Sequence, residues 1–279
     1  MLYLLLAICC SASISVMMRL SEKYVKGDVN LLAVNYIVCS FLAALYAGPA
    51  DLLPAGAGLP FTLGLGLVNG VLYLSGFVLL QWNVKNNGVV LSSTFQKLGV
   101  LVPIALSVVL YGEMPGPSQL IGYAMALIAI ALIHFDGSDE AGGSRKIFLL
   151  LLLLCGGISD SMSKIFEQAG FPEMESHFLF YTFFAALILC LCLVIRRKQK
   201  IGKTELLFGL LVGVPNYFSA RFLLRSLSYV PAVIAYPTYS VGGIVAVSAA
   251  GLLLFHEKLS RRRWLALGIV LVAIVLLNL

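Results

Sequence analysis

Residues Asn69–Gln81 read N-G-V-L-Y-L-S-G-F-V-L-L-Q. The stretch they open continues through T-F-Q-K-L-G-V (Thr94–Val100), Y-G-E-M (Tyr111–Met114) and A-L-I-A-I-A-L (Ala126–Leu132). The same text returns without a gap at Gly213–Leu276, 144 positions later, the step from Glu113 to Glu257. Under that step Tyr73 falls on Tyr217, Ser75 on Ser219, Thr94 on Thr238, Gly99 on Gly243 and Ala129-Ile130 on Ala273-Ile274. Working outward, the start of the chain repeats at a step of 145: Cys10, Met17, Arg19 and Glu22 meet Cys155, Met162, Lys164 and Glu167. One unit is used twice, and repetition on this scale sets the architecture before any local feature does.

The unit is apolar. Hydrophobic residues make up 60% of the chain and charged residues 11%, where a soluble domain carries roughly a quarter charged. The mean hydropathy is +0.98. A stretch of about 20 apolar residues crosses a hydrocarbon core of about 30 Å as a helix. Ten such stretches are present, at 2–18, 29–48, 59–80, 88–111, 118–135, 147–168, 176–195, 205–225, 232–255 and 262–279. The expected fold class is therefore an all-α membrane protein of ten transmembrane helices. Residues 1–135 form the first five-helix repeat, 136–146 a cytoplasmic linker and 147–279 the second repeat. Five crossings is an odd number, so the second copy enters the bilayer inverted, as in many secondary transporters whose site lies between such halves.

The net charge of +6 reports orientation, not a nucleic-acid partner. Fifteen of the 19 basic residues fall in alternate loops, among them Lys23, Lys26, Lys85, Arg145, Arg196–Lys198 and Arg261–Arg263. Positive loops stay cytoplasmic, which predicts both termini outside a multi-pass protein of the inner (plasma) membrane. The other four, Lys97, Lys164, Arg221 and Arg225, lie inside predicted helices. The six cysteines all sit in apolar spans and read as buried packing, with no metal or disulfide spacing. Leu6–Cys9 faintly resembles a lipoprotein cleavage site, but no basic n-region precedes it, so 2–18 reads as a retained first helix.

Taken in order, the first span carries a mildly polar stripe, Ser11, Ser13 and Ser15, suited to close helix packing. Asn35 of the second span can bond across helices. Asn69, Tyr73 and Gln81 give the third span a polar face of the kind that lines a cavity. In the fourth, Lys97 lies about 13 Å from the helix start, near mid-bilayer. An ammonium there costs about 2.5–3.5 kcal/mol and requires a structural partner, an aqueous cavity or a substrate. Pro103 is placed to kink that helix. Glu113 and Glu257 each close a helix before a tight connection, where a carboxylate anchors the turn.

Asp160 lies about 20 Å along the sixth span and Arg221 about 24 Å along the eighth, both travelling outward. At comparable depth they form either a structural bridge or a pair that exchanges with substrate. Their counterparts in the first copy are Ser15 and Phe77, so this charge breaks the pseudo-symmetry. Lys164 and Arg225, one turn further out, reach the interface by snorkelling. Tyr236 and Tyr239, three apart, face one side of the ninth span and offer rings and hydroxyls, as a packed stripe or as a substrate platform.

The run S-Y-V-P-A-V-I-A-Y-P-T-Y-S-V-G-G-I-V (Ser228–Val245), then L-F-H-E-K-L-S (Leu254–Ser260), resembles the drug/metabolite transporter superfamily. It is similar to the four-helix small multidrug resistance proteins and to their duplicated ten-helix relatives, the EamA-type permeases. The resemblance implies an inverted five-plus-five bundle with a central cavity and alternating access. The small proteins carry proton and drug on a Glu of the first helix, a position that aligns here with Ser11 and Gly156. Asp160, one turn beyond Gly156, is the sole candidate replacement. The aromatic pair of that family matches Tyr236 and Tyr239.

Together these readings predict a secondary transporter, an exporter, for a small polar or zwitterionic metabolite such as an amino acid. Tyr236 and Tyr239 would hold its apolar body, Lys97 or Arg221 an anionic group, and Asp160 an amine or a proton, with Tyr73 and Asn69 lining the path. The alternative is proton-coupled efflux of cationic drugs through Asp160. The expected partners are the small-molecule substrate and membrane lipids, with no nucleic acid, cofactor or metal, and a monomer as the working unit; a proton is the coupling ion on the drug-efflux reading and one of the two roles open to Asp160 on the other. Catalysis is not expected, since no histidine lies deep in a span and no nucleophile–base grouping is present.

Overall fold

The computed structural model describes residues 1–279 except 22–23, 26–27, 57, 88–94, 97, 135–142, 198–200, 256–260 and 278–279. A backbone in hydrocarbon must satisfy its polar groups internally, and among the described residues the regular structure is helical throughout. Ten α-helices follow one another: α1 (Leu2–Ser21), α2 (Asp28–Ala47), α3 (Gly58–Asn87), α4 (Leu101–Tyr111), α5 (Pro117–His134), α6 (Gly143–Ala169), α7 (Glu175–Arg197), α8 (Lys203–Leu227), α9 (Ala232–Phe255) and α10 (Arg261–Leu277). A single 3₁₀ turn, Pro172–Met174, leads into α7. Each expected span meets one helix. Five of the ten, α2, α3, α6, α7 and α8, hold apolar segments of 19 to 26 residues, long enough to cross a bilayer. The chain is a multi-pass membrane protein.

The fourth span departs from the continuous helix expected over 88–111. Gly99 and Val100 form a turn, and α4 starts only at Leu101. Pro103 supplies the reason. It has no N–H to return to the Gly99 carbonyl, which instead accepts from Val102 at 3.0 Å. Pro103 thus sits in a first turn, where its missing donor costs nothing, and does not kink the middle of a helix.

The chain divides into two compact units, and each mixes both repeats: Met1–Leu74 with Ile165–Ser226, and Ser75–Lys164 with Leu227–Leu279. In the first unit α2 lies along α7, its repeat counterpart, and antiparallel to it. Cys190 Sγ donates to the Val29 carbonyl at 3.5 Å, and the Tyr36 and Phe183 rings are 6.5 Å apart. Paired glycines bring two further helices onto this pair. A Cβ at Gly70 of α3 would stand 2.5 Å from the Thr182 carbonyl of α7, and one at Gly213 of α8 would stand 2.6 Å from Val38 Cβ of α2. Each glycine has a second four residues earlier, Gly66 and Gly209, the G-x-x-x-G spacing that lets backbones meet in lipid. Asn216 of α8 then donates to Asn35 Oδ1 at 3.0 Å, the cross-helix bond expected of Asn35.

In the second unit α5 lies along α10, again its repeat counterpart. A Cβ at Gly122 would come within 2.9 Å of Leu276 Cβ and 3.0 Å of the Ala273 carbonyl. Ala126, Val241 and Ala273 form the buried contact beside it. Asn83, in the second half of α3, donates to the Phe148 carbonyl of α6 at 2.9 Å, with the Trp82 ring tilted against that of Phe148, centroids 4.1 Å apart. None of the six cysteines is joined in a disulfide. Cys39, Cys155 and Cys190 are buried as expected, but Cys9 and Cys192 lie on the helix surface, where lipid takes the place of a packed core.

Candidate functional site

Two polar clusters stand out, one inside each unit. In the second unit, α6 and α9 are joined by two bridges one helical turn apart. Tyr236 Oη donates to the backbone carbonyl of Asp160 at 2.6 Å. Four residues further along α6, Lys164 Nζ meets Glu113 Oε1 at 2.6 Å, with Lys164 1% exposed and Glu113 17%. The second oxygen of Glu113 accepts the N–H of Ala232 at 2.8 Å. Ala232 is the first residue of α9 and lies four before Tyr236. Its N–H is one of the donors a helix start leaves unsatisfied, and a carboxylate there also meets the positive end of the helix dipole. The Tyr111 ring flanks Lys164, 5.6 Å from its ammonium.

Glu113 therefore anchors its turn, as expected, whereas Lys164 does not reach the interface. It is drawn inward because a carboxylate and a ring are at hand, and pairing offsets the cost of burial. Arg225 is exposed, its guanidinium 5.7 Å from the Tyr3 ring. Glu257 lies outside the described residues.

In the first unit, Tyr46 at the end of α2, Ser176 at the start of α7 and Tyr217 and Arg221 on α8 converge. Arg221 Nη1 donates to Tyr217 Oη at 2.9 Å and to Ser176 Oγ at 3.1 Å. The guanidinium carbon lies 4.1 Å from the centre of the Tyr46 ring, and Tyr46 stacks on Tyr217 at 5.8 Å. Arg221 forms no ion pair among the described residues. Its cationic face is held by hydroxyls and an aromatic ring.

The remaining expected residues are distributed as follows. Asn69 is 2% exposed, with Nδ2 3.5 Å from Thr182 Oγ1 of α7. Tyr73 sets its ring edge-on to Phe183 at 5.8 Å. These two thus turn toward α7. Tyr236 is 1% exposed and Tyr239 half-buried. Lys97 lies outside the described residues. Ser13 and Ser15 bond back to carbonyls of their own helix, those of Cys9 and Ser11, the local pattern short hydroxyls adopt. A cavity of about 340 Å³ borders Ile104, Val108, Tyr123 and Val233 in the second unit.

Sequence reading missed Ser176, Tyr46 and the Lys164–Glu113 pair. Tyr217 was within reach, because it stands four residues before Arg221 and so on the same helix face. The others depend on which helices lie side by side.

Comparison with known proteins follows the same architecture. The model of the EamA-like transporter family matches residues 1–135 and again 146–279. A Haemophilus influenzae protein described as uncharacterized is 27% identical over 279 residues, covering 95% of this chain and 93% of that one. A solved structure described as "Crystal structure of protein" superposes with a TM-score of 0.79 over 99% of this chain and 94% of its own, at 13% identity. That likeness speaks for the fold alone. A family model that covers both repeats decides the assignment: the chain belongs to the EamA-like transporter family.

Proposed function

We propose that this chain is a secondary transporter that exports a small polar or zwitterionic metabolite, such as an amino acid, by alternating access between its two repeats. Family membership supports transport. The antiparallel run of α2 beside α7, its repeat counterpart, supports inverted repeats 1–135 and 147–279 joined by the linker 136–146. Lys97, Asp160, Arg221, Tyr236, Tyr239, Tyr73 and Asn69 handle the solute, with no catalytic step and no cofactor. The chain works as a proton-coupled monomer among lipids of the inner membrane, both termini outside.

The observation that carries the substrate class is Arg221. A guanidinium seated against Tyr46 at 4.1 Å, with hydroxyls as its hydrogen-bond partners among the described residues, suits an anionic group better than a lipophilic cation. The bond from Tyr236 to the Asp160 backbone carbonyl supports a shared role for the two residues. Reconstituted proteoliposomes loaded with labelled amino acids test this reading. Exchange is expected in the native protein and loss of exchange in Asp160→Asn and Arg221→Gln. Absence of amino-acid exchange, together with quaternary-amine efflux that Asp160→Asn abolishes, selects cationic drug efflux instead.

A further inference from the structure

We infer that the cluster at the start of α7 binds the zwitterionic head of an α-amino acid, with Arg221 taking the carboxylate and Glu175 the ammonium group. The inference deepens the transport reading and adds a residue, Glu175, that the reading does not use. A guanidinium has five N–H donors in a planar fork. Arg221 uses one nitrogen, Nη1, for both Ser176 and Tyr217. Among the described residues the rest of the fork has no hydrogen-bond partner. Its face is covered by Tyr46, so the edge is what remains for a ligand, and that edge matches a carboxylate in two parallel bonds. Ser176 is the second residue of the 23-residue helix α7, whose first turn adds partial positive charge at the same place.

Glu175, the residue before it, supplies the other half. Its Oε1 is buried and has no hydrogen-bond partner. A buried acceptor left without a donor is destabilising, and more so when charged. The carboxylate lies within electrostatic reach of both Arg221 and Arg225, yet it closes to ion-pair contact with neither. A cation and an anion held near each other but apart are complemented by a molecule carrying both charges on neighbouring atoms. Tyr217 is fully buried, whereas Tyr46 is 51% exposed. Tyr46 therefore forms the open wall, against which a ligand side chain can rest.

Titration calorimetry on the purified full chain in detergent tests the assignment. The probes are L-leucine and L-threonine, each beside its amide, which lacks the carboxylate, and its deaminated acid, which lacks the amine. The native protein is expected to bind at least one amino acid tenfold or more tighter than either analogue. Arg221→Gln should erase the preference over the amide, and Glu175→Gln the preference over the deaminated acid. Loss of one discrimination with the other kept is not what misfolding gives. The comparison on the native protein stands even where a variant does not fold. Equal binding of all three forms, or no binding, overturns the site. If liposome exchange persists in that case, the transport reading survives. Discriminating binding without exchange leaves the site standing and removes the transport reading.

Discussion

Lys164 and Glu113 form a buried ion pair 2.6 Å long, and the same carboxylate holds the first N–H of α9 at 2.8 Å. The two partners are therefore not equivalent. Removing Glu113 takes the carboxylate away from an ammonium that is 1% exposed and also uncaps a helix. Removing Lys164 leaves a carboxylate that still serves Ala232. Breaking a buried pair from one side costs about 3–5 kcal/mol, so Glu113→Ala should fall in that range. Lys164→Met should cost clearly less. The double variant Glu113→Gln/Lys164→Met should recover part of the loss, since no unpaired charge remains. Thermal melting in detergent of the three variants reads the order, and Lys164→Met as the more damaging single change would refute it.

Gly156 and Gly157 are neighbours on α6 with opposite expectations. A Cβ on Gly156 meets nothing within 4 Å. A Cβ on Gly157 runs into the Gly99 carbonyl and stands 2.6 Å from Val102 Cβ, and a backbone carbonyl cannot step aside. Gly156→Ala should raise stability by up to about 1 kcal/mol through helix propensity. Gly157→Ala should lower it, with a melting temperature below that of the native chain. Equal shifts in the two single variants would mean that α4 and α6 do not approach as described.

The ten helices were legible because length and hydropathy alone decide what crosses a bilayer, whereas the two compact units mix helices of both repeats, which the repeated text around Tyr73 and Tyr217 did not announce. Asn35, an amide in the middle of an apolar helix, announced a cross-helix bond that Asn216 supplies. The Lys164–Glu113 pair was not legible. Fifty-one positions separate the two residues, from Glu113 to Lys164, and nothing in either helix tells which way it rotates toward the other. Hydropathy alone sends a lysine near a helix end to the interface, and the Glu113 carboxylate and the Tyr111 ring beside it reverse that. The break at Gly99 was half legible. Pro103 marked the place, but a kinked helix and a restarted one carry the same residues.

Tyr236 donates its hydroxyl to the Asp160 carbonyl, a group that an uninterrupted helix already satisfies once. Removing that hydroxyl leaves no orphaned acceptor. Tyr236→Phe should therefore cost only about 0.5–1.5 kcal/mol, the net worth of a typical internal hydrogen bond. Tyr236→Ala empties a fully buried ring position and should cost about 3–5 kcal/mol, the range of large-to-small aromatic changes. Melting curves for the pair measure the difference, and a Phe variant as unstable as the Ala variant would show that the bond to Asp160, and not ring packing, holds α9 in place.

The Asn35–Asn216 bond, 3.0 Å long, belongs to the face where Gly213 brings α8 onto α2. Cys39 reinforces the same face, its thiol donating to the Gly213 carbonyl at 3.3 Å. Interhelical hydrogen bonds in membranes average only about 0.6 kcal/mol of coupling, because the separated helices find other partners. Here the two amides are held by a backbone contact that a Cβ would prevent, so little freedom exists to find substitutes. A double-mutant cycle of Asn35→Ala and Asn216→Ala should give a coupling of about 0.6 kcal/mol or more, up to the roughly 1.7 kcal/mol seen at most. Gly213→Val should reduce that coupling toward zero by forcing α8 away from α2. A cycle that is strictly additive in the native background would show that the amides meet without stabilising the helix pair, and close glycine packing alone would then hold α2 against α8.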